Sequence, residues 1–361
     1  MITFILGTTA EYIKVAPVMR LLRSRGVDFQ IWATDQHVDG VKEVLSDFGL
    51  PAPTAHFVPA SRRRTVAKTT QVIPWLLDVV RTFFRYRGKM RTLAAGGTVI
   101  VHGDTFTTVL GALAGRLLGC RVAHIEAGMR SGSWRNPFPE EMNRRLVGHI
   151  AQLHFAPTER ERENLAAAAA NGAEVIVTGA NTVVDALRYA MEHAPLHEEL
   201  PPRFALVTLH RFELVQSRED YTDILRRIQK LSTEIPVVMM MGASERVLLD
   251  KYGLQDFLSG DILVFDKMPY LEFIGVLTRA ALVITDSGGL QQECAALGIP
   301  TAIHRERTET HQGLEENILL TKLNLDVLDD FLSRPEDFRC ASKLDKLHPS
   351  EIIVSHLVDA A

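Results

Sequence analysis

The chain has 361 residues, 46% hydrophobic and 23% charged, with 40 lysines and arginines against 44 aspartates and glutamates. That length exceeds one ordinary core and suits two α/β domains, and the formal net charge of -4 gives no electrostatic reason to expect a nucleic-acid or anionic-membrane partner. The three cysteines, Cys120, Cys294 and Cys340, lie far apart without a CxxC or a metal-ligand spacing, so reduced thiols in a cytoplasmic protein are expected, and no metal site.

The first residues lack the basic stretch and long apolar run of a signal peptide, and no apolar stretch reaches the ~18 residues that span a bilayer. Short β-branched runs at 2–6, 29–33, 99–101, 122–125, 153–156 and 175–177 predict buried parallel strands. Amphipathic stretches at 14–25, 72–86, 107–118, 140–150 and 159–170 predict the helices between them, and the alternation predicts a doubly wound sheet. The basic run Arg62-Arg63-Arg64 reads as a solvated loop. Residues 187–202, polar and containing Pro195, Pro201 and Pro202, read as a linker. The rhythm then restarts, with strands at 204–209, 237–240, 262–265, 282–285 and 300–303 and helices at 220–232, 270–279 and 290–297. The expected fold is α/β, with one Rossmann-like domain over 1–186 and a second over 187–344 facing a central cleft. A C-terminal helix within about 345–361 is expected to pack back on the first domain.

Open α/β sheets bind ligands beyond the carboxyl ends of their strands, and polar residues gather at those ends. The first strand leads into Gly7-Thr8-Thr9-Ala10-Glu11, which suits diphosphate or sugar oxygens at a helix N-terminus and equally an ordinary capping turn. Asp104, in His102-Gly103-Asp104-Thr105, is either a helix cap or a functional carboxylate. After residue 125 an irregular stretch rich in glycine and proline carries Glu126, Arg130 and Glu140, a reactive cluster or a salt-bridge network. In the second half, His210 follows a strand, and Ser287-Gly288-Gly289 offers free amides, a hydroxyl and a positive dipole end to a phosphate. Glu293, several residues into that helix, is placed to accept both hydroxyls of a ribose. There is no Walker A motif, no G-x-G-x-x-G after the first strand and no zinc signature, so nicotinamide, ATP and metal readings lose support.

The blocks GTTAEYIKVAP (7–17), HGDTFTT (102–108), HIEAGMRSG through PFPEEMNRR (124–145), HFAPTERERENL (154–165), TLHR (208–211) and TDSGGLQQECAALGIP (285–300) resemble the UDP-N-acetylglucosamine 2-epimerase family, of glycosyltransferase-B architecture. The loop from HIEAG to PEE resembles the non-hydrolysing branch. The resemblance implies that Asp104, Glu126 and Glu140 are the catalytic carboxylates and His210 the active-site histidine. It implies that Thr9, Lys14, Arg130, Phe273, Ser287, Gly288, Gly289 and Glu293 contact a UDP-sugar, with no cofactor, in a homodimer. The implied reaction eliminates UDP across C1–C2 to 2-acetamidoglucal and re-adds it with inverted C2. The pattern departs from the family at Thr9 and Thr310, where the family carries arginines, at Ala10, where it carries proline, and at Met239-Met240-Met241, where it carries a histidine. Two cations missing from a dianionic ligand would each cost about 1.5–3 kcal/mol, which leaves a changed sugar or nucleotide open. The rival readings are a glycosyltransferase of the same architecture, a hydrolysing epimerase and a non-catalytic sensor; incubation with UDP-N-acetylglucosamine and no acceptor separates them.

Overall fold

A computed structural model of the chain describes residues 1–66, 68–133, 138–195, 199–210 and 217–359. The chain forms two compact units, Met1–Ala186 with Leu347–Ala361, and Leu187–Lys346.

In chain order the first unit contains β1 (Ile2–Leu6), α1 (Thr9–Ser24), β2 (Phe29–Ala33), α2 (Val41–Asp47), β3 (Ala55–His56), α3 (Thr69–Ala94), β4 (Thr98–His102), α4 (Phe106–Leu118) and β5 (Arg121–Ile125). It continues with α5 (Glu140–Ile150), β6 (Leu153–Ala156), α6 (Glu159–Glu163), α7 (Ala166–Ala170), β7 (Glu174–Val177) and α8 (Val183–His193), which runs across the border. The seven strands pair in parallel in the order β3-β2-β1-β4-β5-β6-β7. The second unit contains β8 (Phe204–Thr208), α9 (Arg218–Leu231), β9 (Val237–Met240), α10 (Ala243–Tyr252), β10 (Ile262–Phe265), α11 (Tyr270–Leu277), β11 (Ala280–Thr285), α12 (Gly288–Leu297), β12 (Thr301–Ile303), β13 (Ile318–Leu320) and α13 (Leu325–Ser333). Its parallel sheet has the order β10-β9-β8-β11-β12-β13. Two doubly wound α/β sheets are thus present, as the alternation of apolar runs predicts.

The order of strands reverses between β1 and β4 in one sheet and between β8 and β11 in the other. These switch points are where doubly wound sheets bind ligands, and the polar clusters lie at them. Helix α4 presses on the first sheet through two glycines one turn apart: a Cβ on Gly111 would stand 2.8 Å from Val101 Cγ1, and one on Gly115 2.8 Å from Val122 Cγ2. Strand residues Val99, Val101 and Val122 are fully buried beneath it, each worth roughly 1.5–3 kcal/mol. After α13 the chain returns to the first unit as α14 (Pro349–Asp359), which packs against α1, with Ile353 and Val354 fully buried. Ser350 N–H donates to Asp185 Oδ2 at 2.7 Å.

Some elements differ from their sequence expectation. Helix α1 starts at Thr9 rather than near residue 14, because Thr8 and Glu11 form a capping box. The stretch 159–170 is two short helices parted at Asn164–Leu165 rather than one. The proposed linker over 187–202 begins as helix, since α8 continues to His193 with Leu187 and Ala190 fully buried. No helix among the described residues is long and apolar enough to cross a membrane.

Candidate active site

Three turns meet at the first switch point. Thr8 caps α1, and Glu11, 2% exposed, turns back into the turn it caps. Its Oε2 accepts from Gly7 N at 2.8 Å and Thr8 N at 2.7 Å, while Oε1 accepts from Thr105 Oγ1 at 2.7 Å. Glu11 therefore ties the end of β1 to the turn after β4. Burial pushes its carboxyl up, opposed by the hydrogen bonds from Thr105, Gly7 and Thr8.

One turn along α1, Lys14 Nζ lies 2.6 Å from Glu126 Oε2. Glu126 follows β5 with φ of 64°, a left-handed conformation that non-glycine residues seldom adopt outside strained or functional positions. The same Oε2 accepts from Asn181 Nδ2, and His102 Nε2 stands 3.4 Å away. Burial alone would raise the Glu126 carboxyl, but the charges of Lys14 and His102 and the hydrogen bonds of Lys14 and Asn181 outweigh it and hold the group at about 2. Glu126 is a carboxylate at neutral pH. Burial holds His102 down to about 4, against the opposing pull of Glu126. His124, on β5, is held to about 3 by burial and by His154; being neutral, it donates Nε2–H to the Gly103 carbonyl at 2.8 Å.

Asp104 opens the turn after β4. Arg144 Nη2 pairs with its Oδ2 at 2.5 Å, and Asn143 Nδ2 donates to its carbonyl at 2.8 Å. Both partners lie on α5, so this helix is docked on the Asp104 turn. Glu140, one helical turn before Arg144, has a buried Oε2 with no hydrogen-bond partner among the described residues. The neighbouring Glu141 is fully buried, accepts from Ser131 N at 3.1 Å and from Arg145 Nε at 3.0 Å, and lies 4.0 Å from Arg130 Nε. Arg130 also donates to the Met129 carbonyl at 2.7 Å, so it belongs to the ion-pair network that fixes this loop to α5. Thr9 Oγ1 donates to the Asp39 carbonyl at 3.2 Å.

In the second unit, His210 follows β8 and the fully buried Asp286 follows β11. Asp286 Oδ2 accepts from His210 N at 2.8 Å and its Oδ1 lies 3.1 Å from His210 Nδ1, which fixes the imidazole through both backbone and ring. Ser287 caps α12, and Gly288 and Gly289 form its first turn. A Cβ on Gly288 would stand 2.8 Å from Glu309 Oε1 and 3.5 Å from Arg305 Nη1, and these two side chains pair at 3.0 Å. Arg305 is thus the cation beside this helix N-terminus. Thr310, where the resemblance has an arginine, is fully buried, and its carbonyl accepts from Gln291 Nε2 at 3.2 Å. Glu293, 5% exposed, accepts from the Tyr270 hydroxyl at 2.8 Å; burial and the Glu293 charge push the Tyr270 phenol well up. Phe273 lies one turn after Tyr270 on α11, half-buried.

A family model described as UDP-N-acetylglucosamine 2-epimerase matches residues 19–326. The chain belongs to the UDP-N-acetylglucosamine 2-epimerase family. The UDP-N-acetylglucosamine 2-epimerase of Yersinia pestis is 31% identical over 352 residues, covering 91% of this chain and 89% of that protein. The crystal structure of the Neisseria meningitidis UDP-GlcNAc 2-epimerase bound to UDP-GlcNAc superposes with a TM-score of 0.82 at 26% identity, covering 99% of each chain. That of the Methanocaldococcus jannaschii enzyme in complex with UDP-GlcNAc and UDP gives 0.77 at 28%, again covering 99% of each.

In this epimerase-family chain the structure joins Lys14 to Glu126, and Asp104 to the helix that carries Glu140. It sets His210 at the second switch point with Ser287, Gly288 and Gly289, and Glu293 further along the same helix. Thr9 and Arg130 are engaged with Asp39 and Glu141. Sequence reasoning assigned no role to Glu11, Asn181, Tyr270 or Asp286. Only Glu11 had a local signal, the Thr8-x-x-Glu11 capping box.

Proposed function

We propose that the chain interconverts UDP-N-acetylglucosamine and UDP-N-acetylmannosamine without hydrolysis. The C2 proton of an N-acetylhexosamine is not acidic, so its direct removal and return is disfavoured. In the proposed route the C1–O bond breaks with its electron pair leaving on UDP, the C2 proton passes to a carboxylate, and a C1=C2 double bond forms. Re-addition reverses these changes, with the proton delivered to the other face of C2.

The observation that carries this reading is the setting of Glu126: a buried carboxylate on the turn after β5, one oxygen of which is held by Lys14 and Asn181 with His102 beside it. It takes the base role for the C2 proton, and Glu140, with a buried oxygen that has no hydrogen-bond partner among the described residues, takes the proton transfer on the other face. Asp104, fixed by Arg144, completes the acidic wall. In the second unit the amides of Gly288 and Gly289 and the Ser287 hydroxyl receive the diphosphate, with Arg305 as the nearby cation. Glu293, oriented by Tyr270, takes the ribose hydroxyls, Phe273 lies beside the uracil, and His210, held by Asp286, faces the phosphates. UDP-GlcNAc in the solved relatives supports the substrate class.

The assembly is a homodimer through α3 and α4. Ile73, Leu77, Val80 and Phe84 form one exposed apolar face of α3, beside exposed Leu113 and Leu117 of α4, a patch of the kind that marks an interface. The proposed nucleotide-sugar substrate supports a cytoplasmic reaction.

Incubation with UDP-N-acetylglucosamine alone in deuterated buffer, followed by proton NMR, tests the function. The expected product is UDP-N-acetylmannosamine with deuterium at C2, and Glu126→Gln is expected to lower kcat at least about 10²-fold. Free UDP and N-acetylmannosamine as the primary products would move the assignment to hydrolysis.

A further inference from the structure

Asn181 lies between β7 and α8 and is 3% exposed. Its side chain has two separable tasks. Its Oδ1 accepts from Val183 N at 3.0 Å, which caps the start of α8. An acceptor suffices for that, and serine, threonine or aspartate would serve as well. Its Nδ2 donates instead to Glu126 Oε2, fifty-five residues away in the chain. Lys14 Nζ takes the same oxygen at 2.6 Å, and His102 Nε2 stands 3.4 Å from it. The other oxygen, Oε1, lies on the Gly103 side, 3.9 Å from where a Cβ on that glycine would stand and one residue before Asp104. The hydrogen bonds and ion pairs thus converge on one oxygen and present the other.

We propose that Asn181 is a positioning residue for Glu126, its amide clamping one carboxylate oxygen together with Lys14 so that the second is turned toward the Gly103–Asp104 turn to exchange the substrate proton. The inference rests on the assignment of Glu126 as base. Among the described residues, the charged and titratable groups that face this carboxylate are Lys14 from α1, His102 from β4 and His124 from β5, the strand it follows. An acid at position 181 would keep the volume and the cap but set a second carboxylate against Glu126, with Lys14 as the one cation among these groups. Two carboxylates in contact share a proton at a higher pH than either alone.

Asn181→Asp and Asn181→Ser separate the two tasks, since both retain the cap. For Asn181→Asp the acid limb of kcat/KM is expected to move up by at least one pH unit, with the thermal midpoint lowered at pH 7, because a raised Glu126 midpoint removes part of the stability that its ionised form contributes. For Asn181→Ser a fall of at least tenfold in kcat is expected, with KM within about twofold. Carbon NMR of the glutamate carboxyls in ligand-free protein, with Glu126→Gln to assign the resonance, reads the same clamp without turnover: the Glu126 midpoint should rise in Asn181→Asp. If both variants fold and keep the parent's pH profile, kcat and Glu126 midpoint, the proposal is overturned. Should Asn181→Asp fail to fold, Asn181→Ser decides alone by its kcat. A parent with no epimerase activity but with a shifted Glu126 midpoint in Asn181→Asp would remove the functional reading and leave the clamp standing.

Discussion

Glu11 is met on both oxygens by donors: the amides of Gly7 and Thr8 and the hydroxyls of Thr8, Thr105 and Thr108. Glu11→Gln keeps the shape but turns an amide NH2 toward groups that themselves donate. The expected loss is about 1–3 kcal/mol of stability, with a fall in kcat because the Asp104 turn loses its tie to β1. A parent-like thermal midpoint and kcat would show that the contact is dispensable. This residue also marks where reading the sequence stops. Thr8-x-x-Glu11 is visible as a capping box, but Thr105 lies 94 residues away, and no spacing connects them. Asn181 and Asp286 were hidden for the same reason: each looks like a turn or cap residue, and its second partner is brought in by the parallel sheet. For Lys14 only the family resemblance points to a site, and its pairing with Glu126 needs the fold.

At the scale of elements, α4 and α12 depend on glycines for different reasons. Gly115 gives α4 its close approach to the sheet, where a Cβ would meet Val122 Cγ2 at 2.8 Å and Val99 Cβ at 3.0 Å. Gly115→Ala should therefore destabilise the protein by about 1–3 kcal/mol, measured by urea unfolding, despite the better helix propensity of alanine. An unchanged midpoint would mean that the sheet yields. In α12, by the function proposed above, the glycines leave the helix N-terminus open to the nucleotide. Glu293→Ala should weaken UDP by about 1–3 kcal/mol in calorimetry, and Tyr270→Phe, which removes the hydroxyl that orients Glu293, should weaken it less. Equal affinity in Glu293→Ala would remove that side chain from the nucleotide site. Five-residue strands such as Ile2–Leu6 and Phe29–Ala33 were legible because β-branched and aromatic side chains recur in a buried run. Strands of two and three residues, Ala55–His56 and Ile318–Leu320, are too short to carry a period. The helices Val41–Asp47, Ala243–Tyr252 and Leu325–Ser333 carry charged residues that interrupt their apolar stripes, so periodicity does not announce them.

For the whole molecule, buried imidazoles set the response to acid. Burial holds His102 and His154 at about 4 and His124 at about 3 in the first unit, and His304 at about 4 in the second. Below about 6.5 the unfolded chain takes up protons that these folded imidazoles refuse. Stability must therefore fall as pH drops from about 6.5 toward 4. The first unit alone, with three such groups, can lose up to about 4 kcal/mol per pH unit. Glu126, held down to about 2, acts in the same direction at lower pH: its contribution is present above about 4.5 and is lost as pH falls from there toward the folded value. Urea midpoints at pH 7 and pH 5 should differ, and equal midpoints would contradict the buried neutral state. Charging the α3 face should act only on assembly: Phe84→Glu is expected to shift light-scattering mass from dimer to monomer, and an unchanged mass would move the interface elsewhere.

The return of α14 to α1 has a consequence for how the chain is made. The first unit begins to emerge from the ribosome first, yet it lacks one of its packed helices until residues 347–359 have been synthesised. By then the second unit is complete, and domains generally fold as they emerge. The unit that starts first is therefore the last to finish. During that interval α1 exposes the apolar surface that Ile353 and Val354 later cover, a surface open to chaperones and to mispairing with another nascent chain.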